Sequence, residues 1–374
     1  MRILIAPDKF KGSLTALAAA EAIARGILSV KPEAVTVPMP IADGGEGTAE
    51  AICAALGGKW ITLAARDPLG REIEARYVWL GEGIAVIDMS EASGLWRLSA
   101  NERNPLRAST FGTGQLIEDA LQRGAKEILV GLGGSATNDG GIGLAEALGF
   151  QFFGNAGERL VAIPANLSVL AGIQPRPTPI NAKIVALCDV GNPLTGERGA
   201  SRVFGPQKGA ASRMVEDLDA GLFHLADLVA RDLGTDHRNT PGAGAAGGLG
   251  FGLLSFCGAE IRSGFETLAE ILHLEEQVAT SDLIITGEGR LDAQTLEGKG
   301  PAGVAALARK HGKPVIAFAG AVTEAARMSG IFEETHAITP VGMPLEEAMR
   351  TASSLLEESA AGAAQRFSEI LSNN

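Results

Sequence analysis

Short apolar runs alternate along this chain with segments whose apolar residues recur at helical spacing. Residues 3–6 form a continuous apolar run closed by Pro7, which predicts a strand buried on both faces, as in a parallel sheet. From Leu17 to Ile27 the apolar residues recur every three or four positions, which predicts an amphipathic helix. The loop between them carries Lys9 and Lys11 at the amino end of a helix, where free N–H groups and the helix dipole favour an anion.

The alternation continues through the rest of the chain and predicts an α/β fold. Residues 74–80 and 83–89 have strand character on either side of the turn residues GEG, which predicts a hairpin that breaks the order of strands and helices. Further strands that run into loops or turns are predicted within residues 34–57, 127–149, 182–194, 282–295 and 313–322.

The strands near the two chain ends resemble one another in kind, which indicates that both ends share one sheet. We therefore predict a Rossmann-like parallel-sheet domain from residues 1–75 and 279–374, with a large second α/β domain inserted at residues 76–278. A chain of 374 residues agrees with two domains, because single hydrophobic cores stop growing beyond about 250–300 residues.

The composition excludes several classes of protein. The formal net charge of -12 argues against a nucleic-acid or membrane-surface binder, because neither polyanion attracts the molecule as a whole. The three cysteines have no C-x-x-C spacing, so neither a disulfide framework nor a zinc site is predicted, and a reducing cytoplasm is expected. Residues 241–259 are uncharged, yet their proline and many glycines favour a packed loop leading into a helix over a membrane span.

Five glycine-rich or charged loops follow or precede the predicted elements, at residues 7–13, 42–48, 131–141, 188–194 and 286–300. Open α/β sheets bind their ligands at such loops. Glycine costs backbone entropy wherever neither a close approach nor a positive φ requires it, so these loops are candidates for ligand contact. For each of them an ordinary structural turn is the alternative.

Acidic residues in these loops suit metal or base chemistry. Asp43 and Glu46 suit Mg²⁺ or a substrate hydroxyl, although Glu46 equally favours the first turn of a helix. Asp189 follows a buried-looking strand and suits a base or a metal ligand, with a plain turn as the alternative. Glu288 and Asp292 flank an arginine, so mutual ion pairing competes with a role toward a nucleotide or metal.

Signatures of other enzyme classes are missing. GAGAAG at residues 242–247 fits G-x-G-x-x-G but does not follow a strand, and GLGGSA at residues 131–136 lacks the acidic residue expected about 20 positions later. The sequence contains no P-loop, no protein-kinase catalytic set, no H-E-x-x-H and no G-x-S-x-G. Anion-binding loops with acidic residues favour phosphoryl transfer, in which positioning and charge neutralisation dominate.

Taken together, the loops resemble a known family. The motifs APDKFKGSLTA, PIADGGEGT, DPLGR, GLGGSATNDGG, CDVGNPLTGERGAS, FGPQKGA, GAGAAGGLG and DLIITGEGRLDAQTLEGK run through almost the whole chain and resemble the bacterial glycerate kinases of type I. The resemblance implies a kinase that uses ATP and Mg²⁺ to phosphorylate D-glycerate, with two α/β domains flanking the active-site cleft. It also implies 2-phospho-D-glycerate as the product.

The site residues are assigned from the loops and not from the family. We expect Asp189 to orient the hydroxyl as a base, with Lys9 and Lys11 holding the glycerate carboxylate or the transferring phosphate. Substrate contacts are expected from Asp8, Ser13, Asp43, Gly44, Gly45, Arg71, Ser135 and Asn138. Nucleotide contacts are expected from Gly133, Gly134, Gly287, Glu288, Gly289, Arg290 and Lys299, and metal contacts from Asp292 and Glu288.

Two alternatives stay open at this point. A ribokinase-like kinase of another small hydroxy acid or sugar is suggested by GAGA at residues 242–245, although Ala245 stands where that family has its base. A non-catalytic protein that binds an acidic metabolite or nucleotide would use the same loops. The oligomeric state is open as well, with a homodimer as one expectation.

Overall fold

The computed structural model describes residues 1–293, 295 and 300–367. Its strands are β1 (Arg2–Ile5), β2 (Val35–Pro38), β3 (Lys59–Arg66), β4 (Glu72–Leu80), β5 (Ile84–Asp88), β6 (Glu127–Gly131), β7 (Gln151–Gly154), β8 (Arg159–Leu160), β9 (Leu170–Gln174), β10 (Lys183–Leu187), β11 (Glu260–Arg262), β12 (Leu283–Leu291), β13 (Val315–Val322) and β14 (Glu334–Ala337). Its helices are α1 (Ala16–Val30), α2 (Thr48–Leu56), α3 (Ser90–Ser93), α4 (Phe111–Gln122), α5 (Ile142–Ala147), α6 (Ala200–Phe204), α7 (Ser212–Leu233), α8 (Ala245–Cys257), α9 (Gly264–Ile271), α10 (Leu274–Ala279), α11 (Pro301–Lys310), α12 (Glu324–Met328), α13 (Leu345–Arg350) and α14 (Ala352–Ala364).

The chain divides into two compact units. The first unit consists of Met1–Asp43, Glu50–Gly57 and Phe265–Asn374, and the second of Gly44–Ala49 and Gly58–Gly264. The α/β class predicted from the sequence is confirmed, since both units contain parallel strands together with helices. None of the described helices is long and apolar enough to cross a membrane.

The first unit is built on a five-stranded parallel sheet in the order β2-β1-β12-β13-β14. Ile3 and Ile5 of β1 are fully buried in a core that also contains Ile23 of α1 and Leu356 of α14. A strand covered on both faces must be apolar throughout, which is why the continuous run at residues 3–6 identified it. Strands from both chain ends therefore share one sheet, as the sequence predicted.

The strand order of this sheet has one reversal. The chain moves from β1 outward to β2 on one side, and all later strands of the unit lie on the other side of β1. Counted within the unit, the order is 2-1-3-4-5, in which ligands bind outside the carboxyl ends of the strands at the reversal. The reversal lies between β1 and β12, so the loops that follow these two strands are the candidate binding loops of the first unit.

The second unit contains a six-stranded mixed sheet in the order β3-β4-β5-β6-β10-β11. Strands β5, β6, β10 and β11 are parallel, whereas β4 pairs antiparallel with both β5 and β3. The predicted hairpin is confirmed by the pairing of Val78 with Val86. A smaller antiparallel sheet has the order β8-β7-β9.

The domain boundaries at residues 75 and 279 stay a prediction. The compact units of the structure change between residues 57 and 58 and between residues 264 and 265. Strand β3 pairs along the length of β4, with Trp60 opposite Val78, and therefore lies in the second unit. No strand was predicted from the sequence at β3, so the predicted boundary lies after it.

Candidate functional site

In the first unit, the loop after β1 is held against β12. We call residues 7–13 the lysine loop. The backbone N–H of Asp8 donates to Gly287 O at 2.8 Å, and Thr286 Oγ1 donates to Ala6 O at 2.8 Å. A Cβ on Gly289 would lie 3.1 Å from the backbone nitrogen of Lys11. The start of the lysine loop and the end of β12 are therefore neighbours at the reversal of strand order.

Carboxylates gather at this place. Asp8 is 7% exposed, and Glu288 accepts a hydrogen bond from Thr295 Oγ1 at 2.6 Å. The pKa of Glu288 is raised to about 7, chiefly by burial and also by the negative charges of Asp8, Asp292 and Asp43, while the hydrogen bond from Thr295 opposes the shift. The three aspartates thus lie close enough to act on Glu288.

Cations lie beside these carboxylates. Lys9 Nζ stands 3.6 Å from Asp43 Oδ1 and 4.0 Å from Asp8 Oδ1. Arg290 Nε stands 3.5 Å from Asp292 Oδ2, and Lys11 is exposed and forms no ion pair with any described residue. The region therefore offers both negative groups suited to a cation and ammonium groups suited to an anion.

Two further predicted residues of the first unit have a local structural reason. Ser13 Oγ donates to Phe10 O at 2.9 Å and closes the turn of the lysine loop. Gly287 has no room for a side chain, because a Cβ there would lie 2.2 Å from Phe318 O in β13. Lys299 lies outside the residues that the structure describes.

In the second unit, residues 131–141 follow β6 and are called the glycine loop below. Leu132 N donates to Gly44 O at 2.8 Å, and a Cβ on Gly133 would lie 2.5 Å from Gly45 Cα. The predicted substrate residues Gly44 and Gly45 therefore lie against the predicted nucleotide residue Gly133. Glycine is required here because two backbones pass each other at close distance.

Two aspartates lie at the carboxyl ends of β5 and β10, the two strands that flank β6 in this sheet. Asp88, at the end of β5, is 5% exposed and accepts hydrogen bonds from Gly47 N at 2.9 Å and from Ala49 N at 3.2 Å. Asp189 follows β10, and its Oδ1 accepts from Ser263 Oγ at 2.7 Å and Gly264 N at 3.0 Å. One oxygen of Asp189 thus fixes the chain after β11.

The glycine loop is fixed from inside by buried polar groups. Lys208 is 1% exposed, and its Nζ donates to Ser135 Oγ and to Thr137 O, both at 2.7 Å. Burial lowers the pKa of Lys208 to about 7, and the negative charge of Asp139 opposes this shift. Asn138 Nδ2 donates to Ser201 Oγ at 2.9 Å.

Asp139 holds the end of the glycine loop. Its carboxylate accepts from Thr110 N at 2.7 Å, Thr110 Oγ1 at 2.8 Å and Gly141 N at 3.0 Å. Burial raises the pKa of Asp139, and these hydrogen bonds oppose the shift. Asp139 is fully buried and forms the turn before α5, as the turn interpretation of the sequence expected.

A left-handed turn at the start of α8 packs against the glycine loop. Ala246, Gly247 and Gly248 have φ of 53°, 71° and 90°. A Cβ on Gly247 would lie 1.9 Å from Thr137 O, and Gly140 N donates to Gly247 O at 3.1 Å. Gly247 and Gly248 of GAGAAGGLG therefore permit a close approach between two backbones.

Arg71 lies after the turn between β3 and β4. Its Nε donates to Asp67 Oδ2 and its Nη1 to Glu102 Oε1, both at 2.5 Å. These two carboxylates raise the pKa of the Arg71 guanidinium. The substrate role of Arg71 stays a prediction, and it would require one of these ion pairs to open.

Sequence reasoning missed two residues that the structure brings to these loops. Asp88 is the last residue of the apolar strand β5, and Asp189 lies two positions after the end of β10. The position at a strand end that singled out Asp189 would therefore have identified Asp88 as well. Lys208 lies inside the FGPQKGA motif, but nothing in its neighbours indicates that its side chain is buried.

Comparisons with known proteins identify the family of this chain. The profile of the glycerate kinase family matches residues 3–368. The glycerate kinase of Bacillus subtilis (strain 168) is 45% identical over 367 residues, covering 96% of both chains. The glycerate 2-kinase of Escherichia coli (strain K12) is 44% identical over 365 residues, covering 94% of both chains.

A solved structure is similar over the whole chain. It is a crystal structure from Salmonella typhimurium LT2, provisionally assigned as glycerate kinase 2, with a TM-score of 0.85 and 41% sequence identity. The likeness covers 100% of this chain and 99% of that one. The chain therefore belongs to the glycerate kinase family and is a phosphotransferase that uses an alcohol group as acceptor.

Proposed function

We propose that this protein transfers the terminal phosphate of ATP to D-glycerate and forms 2-phospho-D-glycerate. The observation that carries the proposal is the mixed cluster of Lys9, Asp8, Asp43 and Glu288 at the reversal of strand order in the first unit. Phosphoryl transfer needs this combination, because anionic reactants require cations and a metal requires carboxylates. The relative named glycerate 2-kinase supports the position of the new phosphate.

The lysine loop supplies the cations of the proposed site. Lys9 and Lys11 hold the glycerate carboxylate or the transferring phosphate. With a net charge of -12, the molecule as a whole repels such anions, so local ammonium groups must provide the attraction. Arg290, beside Asp292, is the corresponding cation at the end of β12 and contacts the nucleotide.

The carboxylates at the end of β12 suit the way in which Mg²⁺ is bound in phosphoryl transfer. Among the described residues, no group of three or more histidine, cysteine or acidic side chains forms a metal cage. Mg²⁺ is usually held by one or two carboxylates together with substrate phosphates and water, so Glu288 and Asp292 suffice. When bound there, the ion would neutralise charge on the phosphates.

The product of the reaction tests the proposal directly. The protein is incubated with ATP and D-glycerate, and the organic phosphate is observed by proton-coupled 31P NMR. We expect a doublet, because phosphate on the 2-hydroxyl is coupled to the single proton on that carbon. A triplet would identify the 3-phosphate, and the absence of any glycerate-dependent product would contradict the proposed function.

Asp189 is proposed as the base that accepts the hydroxyl proton. Asp189→Asn keeps an acceptor for Ser263 Oγ and Gly264 N but removes the basic carboxylate. We expect kcat to fall by about 10²- to 10⁴-fold, the usual contribution of general base catalysis, with little change in the Kd for ATP. The exposed Asp217→Asn serves as the matched control, and an Asp189→Asn enzyme of ordinary kcat would remove Asp189 from the chemistry.

We also expect the enzyme to work in the cytoplasm. Cys53 and Cys257 are free thiols in the structure, which agrees with a reducing compartment.

A further inference from the structure

Lys208 is a buried cation to which the proposed reaction assigns no role. Its side chain is among the largest that are fully buried, and it forms no ion pair with a described residue. An ammonium group taken out of water is costly unless its partners compensate, and a leucine or methionine would fill the same space without that cost. Its partners are both in the glycine loop, so its role is to be sought there.

The hydrogen bond from Lys208 fixes the direction of the Ser135 hydroxyl. A serine hydroxyl has one proton to donate and two lone pairs that accept. Because Ser135 Oγ accepts from the ammonium at 2.7 Å, its own proton must point to another acceptor. In the part of the chain that the structure describes, Ser135 Oγ donates to no residue, nor do the backbone N–H groups of Gly133 and Gly134.

We propose that Lys208 is a positioning residue, which holds the Ser135 hydroxyl as a donor toward an anionic oxygen bound at the glycine loop. This inference rests on the proposed function, because the anion is a phosphate oxygen of ATP or the carboxylate of glycerate. The two N–H groups of Gly133 and Gly134 complete a set of donors for the same oxygens. Lys208 also supports the loop through Thr137 O, but that bond does not direct a donor outward.

A double-mutant cycle tests the coupling between the two side chains. Ser135→Ala, Lys208→Met and the double variant of the full chain are compared in KM and kcat, and their Kd values for ATP and for D-glycerate are measured by calorimetry. Each single variant should weaken binding of one of these ligands by about tenfold, the usual effect of one charge-assisted hydrogen bond. The double variant should bind the ligand no more weakly than the single variant that binds it less well, because both substitutions remove the same hydrogen-bond donor.

The two ligands distinguish the source of the anion. A rise in KM and Kd for ATP alone assigns the loop to phosphate, and a rise for D-glycerate alone assigns it to the carboxylate. Lys126→Met, at an exposed lysine before β6, is the matched control and should leave both values unchanged. Effects that multiply in the double variant, or single variants that bind both ligands as the wild type does, would overturn the inference.

The pH profile separates positioning from loop support, even if Lys208→Met does not fold. Burial lowers the pKa of Lys208 to about 7, and Asp139 is the charged group that acts on it. Of the neighbouring cations, Arg202 forms an ion pair with Glu216. The backbone oxygen of Arg103, rather than its guanidinium, faces the turn at Gly209. Above this pH Lys208 is a neutral amine whose lone pair can accept a hydrogen bond. The proton of the Ser135 hydroxyl then turns toward Lys208 and away from the ligand.

We therefore expect ligand affinity of the wild type to fall as the pH rises through about 7. The fall should be smaller in Ser135→Ala, which has no hydroxyl to turn, whereas the titration of Glu288, whose pKa is also about 7, contributes equally to both proteins. An identical step in both proteins would overturn the inference. If the wild type shows no glycerate-dependent turnover, the proposed reaction fails, while the calorimetric coupling between Ser135 and Lys208 is still decided by binding.

Discussion

Replacing Lys9 with alanine should raise the KM for D-glycerate by about 10- to 100-fold, the value of one hydrogen bond to a charged group. The Lys9 ammonium lies 4.0 Å from Asp8 Oδ1 and 3.6 Å from Asp43 Oδ1, and it offsets the negative charge that these carboxylates present to an anionic substrate. Steady-state kinetics at fixed ATP measure the change. The fold should remain, because ion pairs with solvent-accessible partners contribute only about 0–1 kcal/mol to stability.

Two further variants show whether the charge or the side chain matters. Lys9→Arg keeps the positive charge and should recover most of the affinity, whereas Lys31→Ala removes a lysine after α1 and should change nothing. The midpoint of urea unfolding is measured for all three variants. A Lys9→Ala enzyme with the wild-type KM would separate the lysine loop from substrate binding.

The largest effect on stability is expected from Gly247→Ala. The new Cβ would lie 1.9 Å from Thr137 O, and the residue has a φ of 71°, which alanine adopts only with strain. Overpacking and backbone strain together should lower the free energy of unfolding by about 2–4 kcal/mol. Because the clash displaces the glycine loop, kcat should fall as well. Chemical denaturation and steady-state kinetics measure the two losses.

Gly362→Ala is the matched control for this substitution. Gly362 lies inside α14, and a Cβ there would meet nothing within 4 Å. The same added methyl group should therefore stabilise the protein by about 0.5–1 kcal/mol, since alanine is the better helix former. Equal stability of Gly247→Ala and the wild type would contradict the close approach between α8 and the glycine loop.

The elements that the sequence predicted well share a local cause. A strand covered on both faces needs an unbroken apolar run, so β1, β6, β10 and β12 could be recognised one at a time. The loops after them could be recognised because the carboxyl ends of parallel strands collect polar residues and glycine. In each case the pattern depends on residues that are neighbours in sequence.

The features that the sequence did not predict depend on contacts between distant residues. Strand β3 is partly exposed along its length, and it is recognisable as a strand only from its pairing with β4. Lys208 looks like an ordinary turn lysine, and its burial follows from contacts with Ser135, which lies 73 residues away. The glycines of residues 242–248 indicated a packed loop leading into a helix, but the sequence did not show that Gly247 and Gly248 pack against the backbone of residues 137–140. The spacing of residues along the sequence carries no information about such contacts between distant segments.

The pairing of β1 with β12 has a consequence for synthesis on the ribosome. Ile3 pairs with Leu283, so β1 is made long before its neighbour β12 exists. All segments of the second unit, in contrast, lie before residue 265. That unit is able to form its sheet earlier, while β1 and β2 remain a two-stranded fragment that is at best marginal alone. The amino-terminal segment is therefore the part of the nascent chain that most needs protection from aggregation.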